Sequence, residues 1–154
     1  MTDEAQVVNA LRQAVLAFGG LDVLVNNAGI AGGAPITETT LADYDRQMDI
    51  LVKGYYLFAR ESFKVLMAQG IGGSLIFVGS KNSVFAGRGA SIYSMAKAAE
   101  VHLARCLAEE GGEYGIRVNS VLPDAVIRGS SIWSGEWKEA RARQYGVSVE
   151  DLND

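Results

Sequence analysis

Apolar positions along the chain follow two rhythms. Val7, Leu11, Ala14, Val15 and Phe18 recur at spacings of three and four, one face of a helix that Asp3 and Gln6 open as a capping pair and Gly19-Gly20 stops. Leu21 to Val25 is a short apolar run of strand length, broken only by Asp22. Thr40-Leu41-Ala42-Asp43 reads as a capping box, and Leu41, Tyr44, Met48, Leu51, Tyr55 and Phe58 then mark one long amphipathic helix that ends before Gly70. Ser74 to Val78 is a second strand, the alanine-rich segment from about Ser91 to Glu110 a third long helix, and Ile116 to Leu122 a third strand. Strand, helix, strand, helix, strand predicts an α/β fold with right-handed crossovers and three parallel strands adjacent in sequence order. From about residue 130 a polar, helical tail is expected, with Trp133 and Trp137 as packing anchors and a helix-start signature at Ser148-Val149-Glu150-Asp151.

Composition narrows the class. At 154 residues, 49% hydrophobic and 21% charged, the chain suits one globular unit rather than a disordered segment. A net charge of −4 offers no electrostatic footprint for nucleic acid or an anionic membrane. The acidic start Met1-Thr2-Asp3-Glu4 has no apolar leader and no run approaches the ~20 residues of a spanning helix, so the cytoplasm is the expected location. The single Cys106 excludes an internal disulfide framework, and in its alanine-rich helix it is expected as small buried filler. His102 lies five residues past Lys97, about 140° round the helix, and is expected at the surface or a subunit contact; one His and one Cys at this spacing make no metal site.

Chemistry concentrates between Ser80 and Lys97. Tyr93 and Lys97 stand at i and i+4, on one face of the predicted helix. A phenol titrates near pH ~10, so proton exchange at neutral pH needs a shift of about 2 to 3 units, roughly 3 to 4 kcal/mol. One cation at ~4 Å supplies about that much at an effective dielectric of ~20. Lys97 is therefore sufficient to make Tyr93 a general acid/base. Ser80, delivered by the end of the second strand, is placed to hydrogen-bond a carbonyl or alcohol oxygen. By itself the pair is weak: with six Tyr and five Lys in 154 residues, chance produces a Tyr-x-x-x-Lys roughly 0.2 times.

The surrounding segments carry more. Asn26-Asn27-Ala28-Gly29 closes the first strand, Ser80 precedes Tyr93-x-x-x-Lys97, and Arg117-Val118-Asn119-Ser120-Val121-Leu122-Pro123 follows in order. In this combination the chain resembles the short-chain dehydrogenase/reductase family over most of Asp3 to Gly129. The resemblance implies part of a doubly wound, Rossmann-like parallel sheet, with residues 1–154 as a single partial domain. It implies Ser80, Tyr93 and Lys97 as catalytic residues. Asn26, Asn27, Ala28, Gly29, Lys97, Pro123 and Asp124 would contact NAD or NADP, and no metal is implied. It also implies a homo-oligomer built through the helices around 41–69 and 91–110.

Three departures from the family pattern stand out. No glycine-rich fingerprint follows a strand; Gly87-Arg88-Gly89 opens the wrong helix. The family's Asn three residues before a Gly, which supports a relay water, is Leu51 before Gly54. The family's Pro-Gly is Pro123-Asp124, and the Thr expected five places after the proline is Arg128. The wording from Pro123 to Trp137 is similar to the dehydrogenase half of bifunctional rhamnulose-1-phosphate aldolase/lactaldehyde dehydrogenase proteins, which implies an internal section of a longer polypeptide and a small hydroxy aldehyde or alcohol as substrate. Two readings follow. One is an NAD(P)-dependent oxidoreductase; the other is a non-catalytic half-domain that only oligomerises or joins a partner. Without the pyrophosphate turn and the relay amide, turnover by this chain alone is expected to be undetectable.

Overall fold

In the computed structural model, residues 1–124, 139, 142–143 and 146–149 are described. The first unit, Met1–Pro123, holds every strand and long helix discussed below; the second, Asp124–Asp154, is taken by itself. There, Glu139, Ala142 and Arg143 are helical and the Gly146 N–H closes back on the Arg143 carbonyl at 3.3 Å. The expectations placed on Arg128, Trp133 and Trp137 lie outside the described residues.

Helix α1 (Glu4–Phe18) starts where the Asp3 carboxylate accepts the Gln6 N–H at 2.9 Å. It stops where Gly19 turns left-handed at φ +83° and donates to the Val15 carbonyl. Val7 and Leu11 bury against Leu57, but Phe18 is 86% exposed. The apolar stripe read from sequence overshoots at Phe18: Val7, Leu11 and a Glu4–Arg60 ion pair hold the first turns of α1, and Ala14 and Val15 are half-buried.

The sheet is wholly parallel in the order β1 (Val23–Asn26), β2 (Gly73–Val78), β3 (Ile116–Val121), with Val23 opposite Ser74 and Gly73 opposite Ile116. That is the order and direction the sequence predicts, with boundaries shifted by one or two residues. Leu24, Leu75, Phe77, Ile116 and Val118 face a core completed by Tyr55, Ala59, Phe63 and Leu66 from one helix and Ala104 from another. Alternation along a strand sends Val23 and Val25 to the opposite face, where they are 49% and 54% exposed.

The long helix expected from residue 41 to 69 is not one α-helix. α2 (Leu41–Gln47) begins with the reciprocal Thr40–Asp43 capping box, a π-helical segment follows over Met48–Lys53, and α3 (Gly54–Gln69) continues to a left-handed Gly70. A π-turn carries more residues per turn than an α-turn and so shifts the phase of every side chain beyond it. Consequently the stripe divides: Leu51 and Tyr55 are fully buried, whereas Leu41 is 81% exposed and Tyr44 is also at the surface. α4 (Ser91–Gly111) buries Ile92, Ala96, Lys97, Glu100, Val101 and Ala104. Cys106 is exposed, contrary to its reading as core filler, because it lies off that stripe. His102 is exposed, as its angle from Lys97 implied.

Candidate active site

At the carboxyl end of β2, one backbone carbonyl gathers the site. The Val78 oxygen accepts the Tyr55 hydroxyl at 3.2 Å and the Lys97 ammonium at 3.0 Å. Carboxyl ends of parallel strands are where open α/β sheets bind ligands. Immediately after β2, Gly79 donates to the Val121 carbonyl and Lys81 to the Pro123 carbonyl, so the loop carrying Ser80 is tied to the end of β3. The Ser80 Oγ caps the short helical turn Lys81–Ser83 by accepting the Asn82 N–H at 3.2 Å.

Tyr93 comes from the first turn of α4 and is half-buried. Ser80 is close enough to its phenol to lower its pKa, and the Lys97 Nζ lies 5.9 Å from its ring centroid. Ser80, Tyr93 and Lys97 are thus brought together. The electrostatics differ from the sequence expectation. Burial raises the Tyr93 pKa above the ordinary phenol value, hydrogen bonding with Ser80 lowers it in part, and the Glu100 charge raises it again. A lowering by Lys97, as the i, i+4 pair predicted, is not what dominates: the ammonium is spent on the Val78 carbonyl and, at 2.9 Å, on the Glu100 carboxylate.

Glu100 and Tyr55 are site residues that sequence reasoning missed. Glu100 is 1% exposed, and burial pushes its carboxyl up to about 7 against the opposing pull of Lys97. The signal was present: 93, 97 and 100 fall on one helical stripe, and a carboxylate there can only face the lysine. The Tyr55 ring sits 5.1 Å from the Lys97 Nζ and 5.7 Å from the Phe77 ring, and burial raises its pKa as well. Its apolar periodicity concealed a polar use.

At the end of β1, Asn27, Ala28 and Gly29 are exposed, while Asn26 is buried with its amide donating to the Tyr55 carbonyl at 3.2 Å. Of the four positions expected to meet the cofactor, Asn26 therefore has its side-chain donor committed to holding β1 against α3. A Cβ built on Gly29 would lie 4.0 Å from the Lys97 Nζ and 3.3 Å from Leu51, so the missing side chain keeps the approach to the lysine open. Lys97 spends two of its three N–H groups within the fold. Exposed backbone at Asn27 to Gly29 beside that ammonium fits the ribose and nicotinamide side of a dinucleotide. Pro123 stands beyond β3 with its carbonyl on Lys81; Asp124 opens the second unit and is exposed.

The site thus combines Ser80 from the loop after β2 with Tyr93 and Lys97 from α4, at the carboxyl end of a parallel α/β sheet. The chain belongs to the short chain dehydrogenase family, which it matches over residues 1–134. It is 54% identical over 154 residues to the uncharacterised oxidoreductase YuxG of Bacillus subtilis, covering all of this chain and 22% of that protein. The crystal structure of the sorbitol-6-phosphate 2-dehydrogenase SrlD from Erwinia amylovora superposes with a TM-score of 0.88 at 34% identity, covering 98% of this chain and 58% of that one. ElxO with NADP bound superposes with a TM-score of 0.80 at 27% identity, over 96% of this chain and 56% of that one. The chain thus spans between about a fifth and three-fifths of the length of these relatives. Among the described residues, no helix is long and apolar enough to cross a membrane.

Proposed function

We propose that this chain carries the proton-handling and nicotinamide-side part of an NAD(P)-dependent oxidoreductase for a small hydroxy aldehyde or alcohol of the lactaldehyde kind. The observation that carries the proposal is the convergence of Ser80 and Lys97 on Tyr93 at the end of β2. A bound nicotinamide would supply the two-electron acceptor or donor. In reduction the Tyr93 phenol, the form its raised pKa favours, gives its proton to the carbonyl oxygen; in oxidation the phenolate takes the hydroxyl proton while the carbinol carbon is oxidised. Ser80 holds that same oxygen by its hydroxyl. The remaining Lys97 N–H is directed to a ribose hydroxyl, with the backbone of Asn27 to Gly29 alongside. Similarity to a sorbitol-6-phosphate 2-dehydrogenase and to a structure holding NADP supports a hydroxylated small substrate and a nicotinamide nucleotide. Similarity in wording to the bifunctional aldolase/dehydrogenase proteins is what favours lactaldehyde. Self-association through the helical segments around 41–69 and 91–110 belongs to the same reading.

Nucleotide binding is the test, because the helix-terminal backbone donors that usually hold a pyrophosphate follow a glycine-rich turn absent from these residues. NADH and NADPH are titrated into the purified chain by fluorescence. Weak saturable binding that Lys97→Met abolishes is expected, together with loss of any lactaldehyde turnover in Tyr93→Phe. No binding up to millimolar nucleotide would overturn the proposal in favour of a non-catalytic oligomerising module.

A further inference from the structure

Lys97 is held by a partner that the proton-handling set does not use. Glu100 is 1% exposed and sits three residues beyond the lysine, so that Tyr93, Lys97 and Glu100 form one stripe of α4 at spacings of four and three. Its Oε2 accepts the ammonium at 2.9 Å, while its Oε1 is buried without a hydrogen-bond partner among the described residues. A buried carboxylate oxygen left unpaired costs free energy that a structural ion pair has no reason to retain. A proton on that oxygen removes the buried negative charge, the larger part of that cost.

The surroundings allow such a proton. Glu100 forms part of the wall of a cleft of about 430 Å³, lined also by Met48, Asp49, Val52, Lys53 and Tyr56. Lys97 and Tyr93 on α4 and Tyr55 on α3 interact with its charge, and Asp49, Lys53 and Tyr56 line the same cleft. Asp49 and Lys53 pair with each other at 3.1 Å, which leaves Lys97 as the cation that Glu100 answers.

We propose that Glu100 is a positioning residue for the Tyr93 chemistry: it fixes Lys97 and, when ionised, offsets the ammonium charge that otherwise favours the Tyr93 phenolate. Protonation of Glu100 releases that charge toward Tyr93; ionisation withdraws it. Tyr93 and Glu100 then titrate as a coupled pair on either side of the Lys97 ammonium. This inference rests on the oxidoreductase reading for its meaning in catalysis, but its electrostatics are measurable without nucleotide or substrate.

The test follows phenolate absorbance at 295 nm during alkaline titration of the 154-residue chain, with Tyr93→Phe subtracted to isolate one phenol. Glu100→Gln is expected to move the Tyr93 transition down by about one pH unit, a tenfold change in proton affinity, and Glu100→Asp to stay near the parent. An unmoved or upward-moved transition in Glu100→Gln, or equal shifts in the Gln and Asp variants, would overturn the proposal. Should the variants not fold, the Glu100 13Cδ resonance of the unmutated chain, assigned through the backbone, decides it. A midpoint near neutrality supports the device, and one in the usual carboxylate range overturns it. Failure of NADH binding with the phenol shift intact would remove the oxidoreductase reading alone.

Discussion

The Gln69 side chain makes a two-point clasp on the backbone of Leu21, donating to its carbonyl at 2.7 Å and accepting its N–H at 2.8 Å. An amide at the end of α3 thereby stands in for the neighbouring strand just before β1 begins. A Cβ on Gly20 would lie 2.9 Å from the same amide oxygen, so the glycine before Leu21 makes room for the clasp. Gln69→Ala is expected to cost about 1 to 3 kcal/mol in urea unfolding, the range for leaving part-buried backbone groups unpaired. Gln69→Glu is expected to cost at least as much at neutral pH, since it keeps the acceptor but sets an anion against the Leu21 carbonyl.

Two glycines close together before β2 separate backbone strain from steric collision. Gly70 has φ +68° with open space where a Cβ would go, whereas Gly72 has φ +76° and its Cβ would lie 2.6 Å from the Gly115 carbonyl. Gly70→Ala is expected to cost roughly 1 to 2 kcal/mol, the left-handed penalty alone. Gly72→Ala is expected to cost clearly more, because β2 and the turn before β3 must move apart. Equal losses in a denaturant series would mean that the Gly72–Gly115 approach relaxes without cost.

Much of this was legible in the chain. Short segments rich in Val, Leu and Ile, each preceded by a glycine pair, gave the three strands of this sheet and their parallel order, and the structure brings Ser80, Tyr93 and Lys97 to the end of β2. What escaped has a common cause. Periodicity assumes a fixed number of residues per turn, so the π-helical segment at Met48–Lys53 broke the stripe that joins Leu41 to Tyr55. A pair rule for Tyr93 and Lys97 treats their contact as isolated, yet the lysine is answered first by the Val78 carbonyl and Glu100. Composition placed Cys106 in the core with the alanines; position on α4 placed it outside.

Leu51 stands where the family pattern has the relay asparagine, and it is fully buried against the Gly29 backbone. Restoring the amide is expected to harm the fold. Leu51→Asn removes a packed aliphatic side chain and buries an amide among apolar neighbours, for a combined cost of roughly 2 to 5 kcal/mol. A thermal melt unchanged from the parent would show that polar partners are available there after all.

Cys106 reports on the proposed self-association, because it is exposed on α4 in the single chain. A thiol reagent such as DTNB is expected to label it fully without denaturant in dilute solution. If α4 packs against a second copy, labelling slows as protein concentration rises. A rate independent of concentration, together with a monomeric mass by light scattering, would exclude that interface.

Glu100 also sets the pH dependence of stability, with a sign opposite to that of an ordinary ion-paired carboxylate. Its folded pKa is raised to about 7 from the usual 4.5, burial outweighing the attraction of Lys97. Between those values the folded state binds more protons than the unfolded state, so stability falls as pH rises from about 4.5 to about 7. A shift of that size corresponds to on the order of 3 kcal/mol across the window. An ordinary paired carboxylate, with its pKa depressed, would make stability rise with pH instead. Asp43 and Glu61 do have lowered pKa values, and their contributions are lost only in acid, as pH falls through the carboxylate range. Urea unfolding at pH 5, 6 and 7 is therefore expected to show declining stability, and Glu100→Gln, neutral throughout, to remove that decline. Stability rising over the same interval in the unmutated chain would mean that Lys97 holds Glu100 ionised and that the buried pair is a simple salt bridge.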